Sequence, residues 1–275
     1  MRKQDMASGV EPGLVNEFTT LASRAAAAIL AIRPSDLATR AKADRSPVTA
    51  ADEASDAVIA KGLSLLLPGT PVISEETAPP SIASATGFVL VDPLDGTKEF
   101  LSGSDEFTVN LALVVGGRPM AGVIAAPALG LIYRGVVGVG AERLRLAPGA
   151  SVEQATELAN ITARLRPAEG LVATVSRSHL EAATEAFLQR LPVAQRLGCG
   201  SALKFCRVAD GTADVYPRLS PTFEWDVAAG HAIVTAAGGM LATPGGAPLI
   251  FGQAAAGFRV PAFVAWGDPL AAAAR

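Results

Sequence analysis

The chain has 275 residues, 50% hydrophobic and only 18% charged, which suffices for one large domain or two small ones with a full core. Twenty-six acidic against 23 basic residues leave a net charge of −3, so nothing favours gripping a nucleic-acid polymer by counterion release. Two cysteines (Cys199, Cys206) and two histidines (His179, His231) exclude a disulfide framework, a thiolate zinc site and a His-rich metal centre, so any metal would need oxygen ligands.

In chain order, the N-terminal residues 1–13 carry early positive charge but no apolar run behind it. Phe18, Leu21, Ala22, Ala25, Ile29 and Ile32 recur at helical spacing up to Pro34. A polar segment over 42–47 precedes Thr49-Ala50-Ala51-Asp52, which has the spacing of a capping box. Val58, Ile59, Leu63 and Leu66 form the stripe of the helix that follows. Short buried strands are expected over 71–74 and 87–91. An antiparallel meander follows, with strands over 108–115, 121–126, 131–137 and 142–146. The polar stretch 148–167 is the expected boundary between an N-terminal α+β domain (1–150) and a C-terminal α/β domain (151–275). Beyond it, strands over 171–175, 194–197 and 213–216 alternate with helices over 179–191, 201–209 and 225–237, the last closed by Gly238-Gly239. Two final strands are expected over 240–242 and 258–265. The order predicts a layered α+β and α/β protein. No stretch reaches the ~18 apolar residues that a spanning helix needs, so the expected location is the cytoplasm, with room for peripheral association at the inner membrane.

Three acidic clusters end apolar runs and would be aimed at one cleft: Ser74-Glu75-Glu76, Asp92-Pro93-Leu94-Asp95-Gly96-Thr97, and Trp225-Asp226 at a helix start. One Asp-rich turn alone is most simply a solvated turn. Three clusters sharing one logic point instead to a site for hard divalent cations, in which carboxylates and a phosphate share the ion.

With these motifs in place, the chain resembles the inositol monophosphatase superfamily of Mg²⁺-dependent, lithium-sensitive phosphatases, from about Leu21 to Val260. That resemblance implies the sugar-phosphatase α-β-α-β-α sandwich. Ser46–Asp52, Asp95–Phe100, Glu106–Asn110, Val175–His179, Gly200–Cys206, Tyr216–Arg218 and Gly230-His231 look like its 3′(2′),5′-bisphosphate nucleotidase branch. The implied substrate is 3′-phosphoadenosine 5′-phosphate, hydrolysed to AMP and phosphate in sulfate assimilation, with two or three Mg²⁺ ions per site. By the same resemblance Glu75, Asp92 and the Leu94 carbonyl would ligate one ion, and Asp92, Asp95 and Asp226 a second. Thr97, backed by Asp52 and with Glu75 nearby, would orient and help deprotonate the attacking water. The Gly96 and Thr97 amides would hold phosphate oxygens.

Leu94, Asp95 and Asp226 would also border the substrate, whose other end would meet His179, Ser201, Lys204 and Arg218. Ser201 is expected at a helix start, where amides can hold an anion. Asp52 reads equally as a helix cap, His231 as structural or pocket-lining, and the two cysteines as small buried hydrophobes. Glu76 would point away from the site. Loops 77–86 and 101–105 and the alanine-rich C-terminus depart from the family pattern and bear on selectivity and assembly, as monomer or homodimer. Two alternatives stay open: the same chemistry on an inositol phosphate or another small phosphate ester, and a non-catalytic metal-dependent phospholigand binder.

Overall fold

The computed structural model describes residues 12–32, 40–41, 47–77, 85–177 and 181–273, so the N-terminal segment 1–11, most of the polar segment 42–47, loop residues 78–84 and His179 lie outside the described residues. Helix α1 (Pro12–Leu30) and helix α2 (Ala50–Leu66) are separated by the short ladder of β1 (Arg40–Ala41) and β2 (Pro47–Val48). Then come β3 (Val72–Ser74), β4 (Gly87–Asp95), the short helix α3 (Thr97–Leu101), β5 (Thr108–Val115), β6 (Arg118–Ala126), β7 (Leu131–Val136), β8 (Gly140–Arg145) and β9 (Thr156–Ile161). Strands β3 to β9 form one seven-stranded sheet in sequence order, antiparallel except for the β3–β4 pair.

The second half begins with β10 (Leu171–Ser176), α4 (Ala182–Leu188), β11 (Val193–Cys199), α5 (Leu203–Ala209) and β12 (Val215–Arg218). It continues through β13 (Thr222–Phe223), α6 (Glu224–Ala236), β14 (Met240–Ala242), β15 (Arg259–Val260), β16 (Phe263–Trp266) and α7 (Pro269–Ala273). Its five-stranded sheet has the order β11-β10-β12-β16-β14, and β13 pairs with β15 separately.

Strand alternation assigns each face of the large sheet to a different layer. Val89, Val91, Leu111, Leu113 and Val123 pack against α1 and α2, whereas Phe88, Leu90, Ala112, Val114 and Ile124 face α5 and α6. Across α5 and α6 lies the inner face of the small sheet, with Tyr216 and Phe263 packed on Phe205. Its outer face, including Val215 and Trp266, is covered by Phe187 and Leu188 of α4 and Ala271 of α7. The result is the expected α-β-α-β-α sandwich.

Helix α6 lies unusually close to the large sheet because glycines clear its path. A Cβ on Gly122 would sit 2.4 Å from the Ala229 carbonyl oxygen, and one on Gly135 3.0 Å from the Ile233 Cα. On the other side of α6, a Cβ on Gly230 would come within 2.2 Å of the Phe205 ring. Among the described residues no helix is long and apolar enough to cross a membrane.

Several expectations are corrected. Strand β4 extends four residues beyond Val91, carrying Asp92 and Asp95 inside the ladder. Strand β9 falls within the polar stretch read as a boundary, and it pairs with β8 in the first sheet. Only Ile161 of β9 is buried, so an edge strand leaves no apolar alternation to read. The strand expected over 258–265 is split into β15 and β16, with Pro261, which cannot donate to a ladder, between them. Helix α4 is confined to seven residues and α5 starts at Leu203 rather than at Ser201.

His231, inside α6, meets the Phe251 ring edge-on at 5.6 Å, and its Nδ1 lies 3.4 Å from Thr235 Oγ1. Burial pushes its pKa down from 6.5 to about 4. Between those values the unfolded chain binds a proton that the folded chain refuses, so stability falls as pH drops from 6.5 towards 4, by at most about 3 kcal/mol. In urea unfolding the wild type should lose stability relative to His231→Gln as pH falls across this range. In the same assay Gly122→Ala should lose about 2–3 kcal/mol, because the added methyl meets a backbone carbonyl that cannot turn away.

Candidate active site and metal centre

Residues three apart on a regular strand point to opposite faces. In β4 they do not, because the pairing with β5 shifts: Asp92 opposes Asn110 and Asp95 opposes Thr108, so one extra residue is inserted between them. That bulge, at Pro93-Leu94, restores the parity and brings both aspartates towards the face shared by Asn110 and Thr108. Gly96, at φ 90°, then turns the chain into α3, whose first residue is Thr97. The left-handed turn accounts for glycine at this position.

The first turns of α2 tie two of the acidic segments together. Asp52 caps its own helix, its Oδ2 accepting from the Thr49 amide (2.8 Å) and hydroxyl (2.6 Å), while its Oδ1 accepts from Thr97 Oγ1 at 3.1 Å. Ser55 Oγ donates to the Pro93 carbonyl at 2.7 Å, inside the bulge. Asp56 accepts from Ser74 Oγ (2.6 Å) and Thr77 Oγ1 (3.1 Å), tying down the turn that carries Glu75. Positions 52, 55 and 56 share one helical face, which is why one helix reaches both segments. Both readings of Asp52, cap and partner of Thr97, hold in the geometry.

The third acidic segment arrives on α6. Asp226 stands at the third helical position, its Oδ2 accepting from the Phe223 amide at 3.1 Å and from the Thr222 hydroxyl. Glu75, Asp92 and Asp226 each place a carboxylate oxygen within 4.8 Å of the others. Asp92 is buried and its pKa is raised well above 3.8, first by desolvation and then by Glu75, Asp95, Asp226 and Asp52. Asp95 is pushed up to about 6 by desolvation and Asp226, with Lys204 and Arg218 opposing the rise. Asp92 is buried among like charges, and an all-oxygen donor set is what Mg²⁺ takes. The residues present therefore fit a divalent ion. The Leu94 carbonyl oxygen lies 3.3 Å from Thr97 Oγ1, whose single proton goes to the nearer Asp52 Oδ1, so the carbonyl lone pairs stay open to another partner.

Asp95, Gly96 and Asp226 also line a cavity of about 330 Å³, with Ser201, Lys204 and Arg218 on its other walls. The structure thus brings together every described candidate for the substrate's far end with the acidic cluster. Lys204 is buried, its ammonium donating to the Ser201 carbonyl at 2.6 Å and standing 5.5 Å over the Tyr216 ring. Arg218 is largely buried, and its Nε has no partner among the described residues. Ser201 corrects the expectation of a helix start: it precedes α5 in a left-handed conformation, φ 42°, with its hydroxyl 3.1 Å from Thr108 Oγ1. A non-glycine residue in that region costs about 1–3 kcal/mol and persists only where its surroundings hold it. Sequence reasoning missed Lys98, Glu181 and Tyr216, which line the same cavity. Tyr216 was within reach, because strand alternation places it on the same face as Arg218.

Asp92→Asn removes one of several like charges while keeping the oxygen that accepts from the Leu94 amide at 3.1 Å. Without metal the folded wild type holds the Asp92 proton more tightly than the unfolded chain, so its stability falls as pH rises above 3.8. At pH 8 in EDTA the variant should therefore melt about 3–6 °C above the wild type. Adding Mg²⁺ should raise the wild-type Tm and leave the variant's nearly unchanged. Calorimetry with and without the ion reads both effects.

A family model described as the inositol monophosphatase family matches residues 14–273. The 3′(2′),5′-bisphosphate nucleotidase CysQ of Escherichia coli strain K12 is 40% identical over 242 residues, covering 86% of this chain and 93% of that protein. CysQ of Salmonella typhimurium is 44% identical over 199 residues, 72% of this chain and 76% of its own. The crystal structure of CysQ from Bacteroides thetaiotaomicron superposes with a TM-score of 0.79 at 33% identity, covering 92% of this chain and 97% of that one. An inositol monophosphatase from Anabaena shares the fold with a TM-score of 0.71 at 24% identity, over 94% of this chain and 92% of that one. The chain belongs to the inositol monophosphatase family.

Proposed function

We propose that the chain is a Mg²⁺-dependent phosphomonoesterase that removes the 3′-phosphate of 3′-phosphoadenosine 5′-phosphate, leaving AMP and phosphate. The observation that carries this reading is a cavity lined by both Asp95 and Asp226, the latter part of the carboxylate cluster with Glu75 and Asp92, and by Lys204 and Arg218. A substrate with two phosphates has a use for both the acidic and the basic groups. The names of the bisphosphate nucleotidase relatives, at 40% identity over most of the chain, support the same substrate class.

Glu75, Asp92, Asp95, Asp226 and the Leu94 carbonyl would hold two or three Mg²⁺ ions. Bound there, the ions would polarise the phosphoryl group and acidify a water. Thr97 would position that water: with its hydroxyl proton given to Asp52 Oδ1 at 3.1 Å, its oxygen lone pairs are free to accept one from the water. Glu75 stands at the same cluster and assists, so no histidine base is needed. The amides of Gly96 and Thr97, at the turn into α3, would hold phosphate oxygens. Lys204 and Arg218 would neutralise the non-reacting 5′-phosphate, and Ser201 would add a hydroxyl to that wall. His179, outside the described residues, is assigned to the nucleotide on sequence grounds alone. In this reading residues 1–150 supply most of the metal ligands and 151–275 most of the substrate contacts, with Asp226 crossing between them. The reaction is assigned to the cytoplasm.

Phosphate release from 3′-phosphoadenosine 5′-phosphate and from inositol 1-phosphate, measured side by side, tests the proposal. The nucleotide should be the preferred substrate, with activity dependent on Mg²⁺ and abolished by EDTA. Asp95→Asn should lose at least about 100-fold in kcat, and Thr97→Ala and Asp52→Asn each about 10²–10³-fold. Preference for the inositol ester would keep the metal chemistry and discard the roles given to Lys204, Arg218 and His179. Release from neither substrate would overturn the proposal in favour of another phosphate ester or a phospholigand binder.

A further inference from the structure

We propose that Glu106 is a positioning residue for the phosphate-binding wall of this cavity, acting through the turn 198–201; the inference rests on the phosphatase reading above. Glu106 does not line the cavity. It lies in the loop before β5 and accepts three hydrogen bonds from the other half of the chain. Its Oε2 takes the Gly200 amide at 2.9 Å and Arg177 Nε at 3.1 Å, and its Oε1 takes Arg177 Nη2 at 2.8 Å. Arg177 Nη2 closes the loop by donating to the Gly198 carbonyl at 3.0 Å. Arg177 is thereby committed to Glu106 and the turn.

Gly200 is seated directly on Glu106. A Cβ there would fall 2.8 Å from the Glu106 carbonyl oxygen and 2.9 Å from its Cβ. The next residue, Ser201, is held in its left-handed conformation with its hydroxyl on Thr108, two residues after Glu106. Lys204 is tethered to the same turn, donating to the Ser201 carbonyl at 2.6 Å and towards the Cys199 carbonyl at 3.4 Å. A charged, bidentate clamp thus fixes the backbone from which both Ser201 and the Lys204 ammonium are placed. Loosening it would move the wall that receives the non-reacting phosphate and leave Glu75, Asp92, Asp95 and Asp226 where they are.

Steady-state kinetics of Glu106→Gln and Arg177→Met test this, on 3′-phosphoadenosine 5′-phosphate and on 3′-AMP, which lacks the second phosphate. KM for the bisphosphate should rise about 10-fold in Glu106→Gln and about 3-fold in Arg177→Met, with kcat within about 2-fold of wild type. KM for 3′-AMP and the Mg²⁺ concentration for half activation should not move. In a Lys204→Met background, Glu106→Gln should add less than about 2-fold, because the clamp acts through that lysine. A fall in kcat at constant KM, an equal effect on both nucleotides, or full additivity with Lys204→Met overturns the inference. Should Glu106→Gln not fold, Arg177→Met decides, since the Arg177 side chain is 63% exposed and its replacement leaves the core intact. An active wild type with unchanged variants sinks this inference alone. A wild type inactive on the bisphosphate sinks the phosphatase reading and this inference with it.

Discussion

Buried like charge is the constraint on which the site depends. Asp92 is 1% exposed and faces four other carboxylates, so desolvation and repulsion both disfavour its charged form. An arrangement of this kind would spread apart if the local structure let it. Three hydrogen bonds from one face of α2 oppose that: Asp52 to Thr97, Ser55 to the bulge, and Asp56 to the turn bearing Glu75. None of these α2 contacts uses the carboxylates of Glu75, Asp92 or Asp226; Asp92 Oδ1 and Asp226 Oδ2 are instead held by amides of their own segments.

The second requirement is that Asp226, more than a hundred residues further along the chain, should reach Asp92. Helix α6 can bring it there only by lying hard against the large sheet. Gly122 and Gly135 remove the side chains that would hold the helix off, and Gly230 lets Phe205 of α5 close in from the other side. These glycines thus help to place Asp226, although none of them has a side chain to offer an ion. The same closeness lets β5 and its preceding loop touch the turn before α5, through Thr108 with Ser201 and Glu106 with Gly200. The walls proposed to hold metal and phosphate are braced against each other there.

Much of this was legible in the chain because the signals were local. A capping box needs only Thr49 and Asp52, and it was formed as expected. The helix over 225–237 was placed within one residue at each end by its apolar content and the Gly238-Gly239 stop. The ladder of β5 to β8 followed from alternation and turn residues. Strand β9 was not legible, since an edge strand with one buried residue carries no pattern. Ser201 was misplaced because its conformation is imposed by Thr108, 93 residues away, against its own preference.

By itself the sequence determined the inventory and the order: oxygen ligands only, three acidic clusters at the ends of apolar runs, two helices before a meander, and an alternating half after it. Those properties are written in residue type and short-range spacing. Tertiary structure alone decided which carboxylates share an ion-sized space, that a one-residue bulge turns Asp92 and Asp95 to the same side, and that Arg177 belongs to Glu106 rather than to the cavity. Each of these depends on register or on contacts between residues far apart in the chain. Neither can be read from composition or period, because both are set only when the two sheets close on α5 and α6.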